Sequence, residues 1–555
     1  MRKKAFMVEV CIVLVVFLIF FAVRLKAVQE DATPGTTVRK FEKESLANSL
    51  SGKIIPPSKI PNLGTPGVYK MDGDILDVEL SVWPGYAPLI VANGGLEPNP
   101  ESIFFKKYGF KLRIVLSEEE GTAWESLHSG KLGVTSTTVD VVALYGDQLK
   151  CEVPLQLDYS RGGDAILVDK EITSINQLKG KIVVVAQYTS SDFFIRFLAQ
   201  AAGVKVIPLA DLAAKPDRDC INLLFTETGF GAADIFAESL KRGDHIISGA
   251  VTWSPKDIEV LDLFPKRAKL LVTSRNMLLI ADVLVVNPGF AAESPKVVQG
   301  LVDGFLTGAD MMSRDPLQTL PLVATAFNLS VQKLRTSLRD IHISNHAENM
   351  AFFSDQPGLE GTFCGLYDTA VATYGEETIS YPILPKVLQN RAYLEAIAQE
   401  GTFADQVPEV SPTPMKDKPL IKGRNPLLTT KIRFYFPFNT MTLDLQYGSN
   451  KQSLNELANL LKVMPGAYIS LRGHVDSTKI SQFRTNGDDS FKRVVLLAVQ
   501  ESIQRAVSVK AELLKVAPAV DASHIDAEGC GWEEPEKDQN RENNRSVEVQ
   551  VFTIE

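Results

Sequence analysis

Three regimes of apolar spacing follow one another along the chain. The first is a single unbroken run. After Arg2, Lys3 and Lys4, the stretch from Ala5 to Val23 is 19 residues long and is interrupted only by Glu9. As a helix it would reach about 28 Å at 1.5 Å per residue, close to the hydrocarbon thickness of a bilayer. A cleaved signal peptide would need small residues after the apolar core. Here Arg24 and Lys26 follow with no A-x-A triplet, and Cys11 lacks the small residues that precede a lipid-modified cysteine. The pattern therefore favours an uncleaved signal anchor over 5–23 with a cytoplasmic start at 1–4.

Residues 24–74 are polar and punctuated by Pro34, Pro56, Pro57, Pro61 and Pro66, and read as a linker. From 75 the regime changes. Short apolar runs such as 76–83, 111–116, 181–188, 221–225, 245–251 and 277–287 alternate with amphipathic segments such as 191–203 and 294–314. Alternating strand and helix signals predict an α/β fold with mostly parallel sheets, continuing to about 400. Residues 401–430 carry Pro408, Pro412, Pro414, Pro419 and Pro426 and read as a second linker. The third regime, 431–555, orders strand, helix, strand, long helix and strand, which predicts an α+β sandwich.

Composition narrows the function. With 555 residues and 45% hydrophobic content the chain is long enough for several globular domains. The net charge of −9 is spread along the sequence and argues against a nucleic-acid grip. Five cysteines without a C-x-x-C pair exclude a disulfide-dense scaffold and a cysteine zinc cluster. One disulfide among Cys151, Cys220 and Cys364 stays open as an expectation, its pairing unreadable.

Two segments carry resemblances. WPGYAPLIVANGG (83–95) and DYSRGGDAILVDKEITSINQLKGKIVVV (158–185), supported by 189–204, 251–257 and 273–287, are similar to type 2 periplasmic solute-binding proteins of the nitrate, sulfonate and taurine kind. The likeness covers about 75–395. It implies two α/β lobes, the second about 166–270, closing on a small solute at crossings near Asp164 and Ser274. Ligands of such folds collect where strand ends meet helix N-termini, whose partial positive charge suits an anion. On this reading Trp83, Tyr86 and Trp253 stack on the solute. Thr137 and Thr138, in a hydroxyl-rich turn, and Ser190 and Ser191, before a helix, bond it. Arg161 pairs with its charge. Each has a plainer role open to it: cap, core or solvated face. One of Thr189, Ser190, Ser191 and Asp192 is expected to cap the helix.

The segments 469–478, 502–513, 529–535 and 544–552 resemble, in order, the motifs of the OmpA-like peptidoglycan-binding domain. That family clamps the diaminopimelate of peptidoglycan stems with an Asp and an Arg, here Asp476 and Arg505. A carboxylate suits the ammonium of diaminopimelate, and a guanidinium its carboxylate. This chain departs from the pattern at Ala498 and Glu501, and through a probable inserted loop at 481–490. A helix-face pair with Glu501 is the plainer role for Arg505. Together the two resemblances imply a single-pass inner-membrane protein with its bulk in the periplasm of a Gram-negative cell.

No phosphate-binding loop, H-E-x-x-H or G-x-S-x-G occurs. Ser330 begins an isolated S-x-x-K, and His342, His346 and Glu348 are near neighbours without a metal-site pattern. The expectation is a non-enzyme without cofactor or metal: a membrane-anchored solute-binding protein that also grips peptidoglycan, in a sensory or scaffolding role. The alternatives are a receptor for an ABC importer of phosphate, sulfonate or nitrate class, with an unidentified membrane-protein partner, and a purely structural membrane-to-wall tether.

Overall fold

The computed structural model describes residues 50, 52–117, 120–354, 362–410, 424–476, 480–485, 487–532 and 544–553. The apolar run at 5–23 lies outside them, and no described helix is long and apolar enough to cross a membrane.

Two six-stranded sheets and one four-stranded sheet form the framework. The first lobe holds β1 (Ile75–Leu80), β2 (Lys111–Leu116), β3 (Val134–Thr138), β4 (Glu152–Ser160), β11 (Ala281–Val286) and β12 (Ile341–Ile343), in the order β12-β4-β11-β3-β1-β2. The second holds β5 (Asp164–Asp169), β6 (Ile182–Ala186), β7 (Lys205–Pro208), β8 (Cys220–Thr226), β9 (Gly249–Trp253) and β10 (Ala268–Thr273), ordered β10-β5-β9-β6-β8-β7. The chain therefore passes between lobes twice, from β4 to β5 and from β10 to β11.

Those passages correct the expected parallel sheets. β1 pairs parallel with β2 and β3, and β6 and β8 form parallel ladders in the second lobe. The crossing strands pair antiparallel: β11 with β3 and β4, and β5 with β9 and β10. A strand that runs out of one sheet into the next enters reversed, which helix-linked β-α-β units do not. Burial follows the layering. β1 alternates half-buried and buried positions, whereas every residue of β6 (IVVVA) is buried, covered on both faces.

The crossings are locked together. Ser160 Oγ lies 2.8 Å from Ser274 Oγ, the Gly162 N–H donates to Ser274 Oγ at 2.9 Å, and the Asp164 N–H donates to Ser160 Oγ at 3.1 Å. Small hydroxyl side chains here satisfy backbone donors at the point where regular pairing stops.

Residues 52–74, within the stretch read as a linker, are laid along both lobes. Ile55 bonds the Phe225 carbonyl, Ser58 exchanges bonds with Gln187, Leu63 is held by Gln148, and the Gly67 N–H donates to the His128 carbonyl. Asn287, fully buried, accepts from the Tyr69 N–H and donates to Gly67 and Leu127 carbonyls. Residues 401–410 are likewise held: the Glu409 and Val410 N–H groups both donate to Glu348 Oε1.

The third sheet comprises β13 (Leu428–Tyr435), β14 (Tyr468–Gly473), β15 (Ile525–Gly529) and β16 (Ser546–Phe552), ordered β13-β16-β14-β15. Helices Asn450–Val463 and Asp488–Val516 pack against it. β15 goes unread in the sequence because IDAEG carries little apolar signal, yet it pairs parallel with β14 over five positions. Residues 480–484 form a short helix where a loop was expected, and Phe483 stacks on Trp532.

This domain docks on the second lobe and on the hinge. The Ile175 N–H donates to the Leu427 carbonyl, and Asn176 both accepts from Thr429 N–H (2.9 Å) and donates to Thr429 O (3.1 Å). The Leu278 N–H donates to Val463 O and the Gly466 N–H to Asn276 O, both on the segment between β10 and β11. All four described cysteines are free thiols, so the disulfide left open above is absent among them.

Replacing Asn176 with Ala strands backbone groups at this docking face, at a cost of about 1–3 kcal/mol. The expected outcome is an earlier, separate unfolding transition of the C-terminal domain in calorimetry, where the wild type melts with its second lobe.

Candidate functional site

A cavity of about 50 Å³ lies between the two lobes, room for a few waters or a compact polar group. Its walls come from both lobes and from the crossings. Trp83 and Tyr86 sit in the turn after β1, Thr135 to Thr138 are β3 itself, and Asp282 opens β11. Asp164 and Trp253 form the end pair of the β5–β9 ladder, and Ser190 begins the helix Ser190–Ala201. The hydroxyl-rich turn expected at 135–138 is thus a strand, stabilised by pairing to β1 and β11.

Of the residues singled out in the sequence, Trp83, Tyr86, Thr137, Thr138, Ser190 and Trp253 line this cavity. Ser191 does not; it is fully buried one residue further into its helix. Arg161 does not either. It stands on the hinge, its N–H donating to the Asp340 carbonyl. The sequence reading passed over Glu79, Ser81, Ser117, Trp124 and Asp282, which do line it, and took Asp164 only as a marker of the crossing, where it lines the cavity as well. For Asp282 the only signal was an acidic residue in an otherwise apolar strand, ADVLVV.

Glycines hold the aromatic wall in place. A Cβ on Gly163 would come within 2.4 Å of the Trp83 ring, and one on Gly229 within 2.2 Å of Trp253. At Gly85 a Cβ would collide with the Asp158 carboxylate at 1.8 Å. The rings sit where they do because the facing backbone has no side chain.

Behind the wall lies a connected set of carboxyl groups. Trp83 Nε1 donates to Asp158 at 3.1 Å, and the Tyr86 hydroxyl donates to Asp282 at 2.5 Å. Asp158 and Asp282 face one another across the β4–β11 ladder. Ser190 Oγ donates to Asp164 at 3.2 Å. Burial raises Asp158 and Asp282 above the usual carboxylate range, and their mutual repulsion raises Asp282 further. Burial also pushes Asp164 and Asp257 up to about 6 and Asp140 to about 7. Asp140 is 2% exposed, and burial outweighs the Thr138 hydroxyl and the Asp140 N–H, which favour its charged form.

The side-chain cap expected at the helix start after β6 does not form. Thr189 occupies the N-cap position but turns its hydroxyl back to the Ala186 carbonyl. Asp192 accepts from the Tyr188 N–H at 3.2 Å and binds Arg196 Nε at 2.6 Å.

At the other end of the chain, Arg505 is 1% exposed. Its Nε donates to Thr440 O at 3.0 Å, Nη1 to His474 O at 2.8 Å and Nη2 to Glu501 at 2.8 Å, with the Phe436 ring 5.5 Å away. The helix-face pair with Glu501 therefore forms. His474 is two residues from half-buried Asp476, so the loop after β14 brings both motif residues to one end of the sheet. Arg545 joins them, donating to Phe436 O at 3.0 Å. Gly473 lets β14 approach the long helix, since a Cβ there would meet Ser502 O at 1.9 Å. Gly531, at φ +56°, takes the left-handed turn that returns its N–H to Ser502 Oγ. On the outer face, Glu548 binds Arg433 and Arg472; burial works to raise it, but His474 and Arg433 outweigh that and hold it at about 2.

The remaining sequence candidates have plain roles. Ser330 caps a helix by accepting from the Lys333 N–H. His342 bonds Glu348 and His346 bonds the Leu394 carbonyl, so the two rings do not converge. Among the described residues no group of His, Cys, Asp or Glu is placed to hold a metal ion.

No family model matches the chain. Among curated proteins it is similar to Outer membrane protein Omp38 of two Acinetobacter baumannii strains, 27% identical over 147 residues, or 26% of this chain. The chain spans about a third (36%) of the length of these relatives. Among solved structures it is similar to the periplasmic aliphatic sulphonate binding protein SsuA from Escherichia coli: 15% identity, 57% of this chain, 97% of that one, TM-score 0.42. It is also similar to the periplasmic nitrate-binding protein NrtA from Synechocystis PCC 6803: 13% identity, 62% of this chain, 92% of that one, TM-score 0.43. A third is the alkanesulfonate-binding protein SsuA from Xanthomonas axonopodis pv. citri bound to MOPS, at 14% identity, 57% and 98% coverage and TM-score 0.40.

The raised carboxyls make a stability prediction. A group whose folded pKa lies above its unfolded value of about 4 keeps its proton in the folded state while the unfolded chain releases it. Its stabilisation is complete below pH 4 and disappears as the pH rises through about 6–7, the folded values of Asp164, Asp257 and Asp140. The ligand-free protein is expected to melt at a lower temperature at pH 8 than at pH 5. Asp140→Asn is expected to remove part of that fall, on the order of a few kcal/mol.

Proposed function

We propose that the chain is a cell-envelope protein in which a hinged cleft binds a small solute and the C-terminal domain holds peptidoglycan. One observation supports the first half above others: an aromatic-walled, hydroxyl-rich cavity enclosed by both lobes at their double crossing. Ligand sites concentrate at such clefts, where a few polar groups converge among apolar walls. On this reading Trp83, Tyr86, Thr137, Thr138, Ser190 and Trp253 touch the solute, while Ser191 and Arg161 stand outside the cavity and act through the helix start and the hinge.

The second half rests on Asp476 and Arg505 reaching the same end of the C-terminal sheet. Arg505 spends three of its five N–H donors on protein acceptors, which orients its guanidinium plane. The remaining donors and the Asp476 carboxylate are the groups for the carboxylate and ammonium of diaminopimelate. Phe483 and Trp532 stack beside this end of the domain and offer a flat apolar face.

The cleft and the wall-binding end share one body, because the C-terminal domain is bonded to the second lobe at Asn176 and to the hinge at Asn276 and Leu278. That supports a sensory or scaffolding role over handing solute to a permease: cleft closure and wall attachment move the same elements. The apolar segment 5–23 would moor the chain in the inner membrane.

Wall binding is tested by co-sedimentation with purified sacculi. The full-length protein is expected to be retained and Asp476→Ala to lose at least tenfold in retention with an unchanged melting temperature. Equal retention of both would remove Asp476 from the role.

A further inference from the structure

The carboxyl groups around the cleft contradict an anionic ligand. Two helices start at the cavity, Val139–Leu149 directly after Thr138 and Ser190–Ala201 with Ser190 in its wall. Their positive ends would favour an anion. Each already carries a buried carboxyl in its first turn, Asp140 and Asp192. The helix ends are therefore spent on the protein's own acids. The described residues that line the cavity include Glu79, Asp164 and Asp282 and no Lys, Arg or His.

Nearby guanidinium groups do not change this balance. Arg196 is committed to Asp192 at 2.6 Å, Arg275 to Asp340 at 2.7 Å, and Arg161 lies on the hinge outside the cavity. Asp282 senses the charges of Asp158, Asp164 and Asp140, and Asp164 is also sensed by Asp257. Enclosing an anion here would set it against acidic groups, with no Lys, Arg or His in the described lining, in a space that closure dries, where repulsion is least screened.

A cation reverses each of these costs, and its charge draws a proton off the Asp158–Asp282 pair into solvent as it enters. Three of the four tryptophans in the chain, Trp83, Trp124 and Trp253, line the cavity, with Tyr86. Aromatic rings alternating with carboxylates attract an organic ammonium both through the ring quadrupole and through charge. The buried carboxyl of Asp140, in the first turn of the helix after Thr138, acts on Asp282 and adds to the same field.

We propose that the cleft selects a small organic ammonium ion, held between the Asp164 carboxylate, the paired carboxyls of Asp282 and Asp158 and the rings of Trp83, Trp124 and Trp253. This deepens, and rests on, the solute-binding reading of the same cavity.

The experiment is a titration of the full-length protein at pH 7.5, followed by tryptophan fluorescence and calorimetry. The probes are choline and putrescine on one side, and phosphate, ethanesulfonate and nitrate on the other. A cation is expected to bind saturably and more tightly than any of the anions. Asp282→Asn and Asp164→Asn are each expected to weaken it at least tenfold, while the ligand-free melting temperature stays level or rises because a buried acid has been replaced by a neutral amide. Tighter binding of an anion overturns the ammonium assignment and leaves the solute-binding reading standing. Cation binding that ignores both substitutions also overturns the assignment. No saturable binding of either charge overturns the solute-binding reading itself.

Discussion

The double passage of the chain between two sheets governs this molecule. At Ser160–Asp164 and at Ser274–Ala281 the backbone leaves one sheet and enters the other, and the paired hydroxyls of Ser160 and Ser274 join the two passages. Everything that makes a site follows from that constraint. Strands arriving from the other lobe pair antiparallel, so β11 carries Asp282 opposite Asp158 on β4, and β5 places Asp164 opposite Trp253. Without the crossings these residues would sit in separate domains.

The cleft also shows how a binding surface can lower stability. Burying an acid without a counter-charge costs free energy, and burial holds the protons on Asp140, Asp164 and the Asp158–Asp282 pair to a higher pH than exposed carboxyls keep them. Compare Glu548 on the third sheet, whose two guanidinium partners hold its charge comfortably. One cluster is completed by the fold and the other is left incomplete. Incompleteness of that kind is a feature of sites more often than of scaffolds.

The third sheet is joined to this machinery by backbone hydrogen bonds instead of a loose connection. Asn176 reads the edge of β13, and the loop from Val463 to Gly466 bonds the very segment that links β10 to β11. The strap at 52–74 adds another connection, touching the second lobe at Phe225 and Gln187 and the first at Gln148 and His128. A change in the angle between lobes has to be accommodated at all of these contacts.

Local pattern carried most of the element order. The short apolar runs 76–83 and 181–188 marked β1 and β6, and the amphipathic segment 294–314 marked a long helix, Pro295–Arg314 in the structure. Trp83, Tyr86 and Trp253 of the aromatic wall were picked out through the resemblance, while Trp124 gave no signal. Only the tertiary structure decided the sign of the cleft. Asp140, Asp158, Asp164 and Asp282 are scattered over more than a hundred residues, and each alone looks like an ordinary polar position on a strand end or helix start. Their convergence depends on which strands become neighbours, and their loss of solvent depends on two sheets closing over them. A carboxyl group's charge state answers to the surroundings that packing creates, and those surroundings are absent from the linear order of residues.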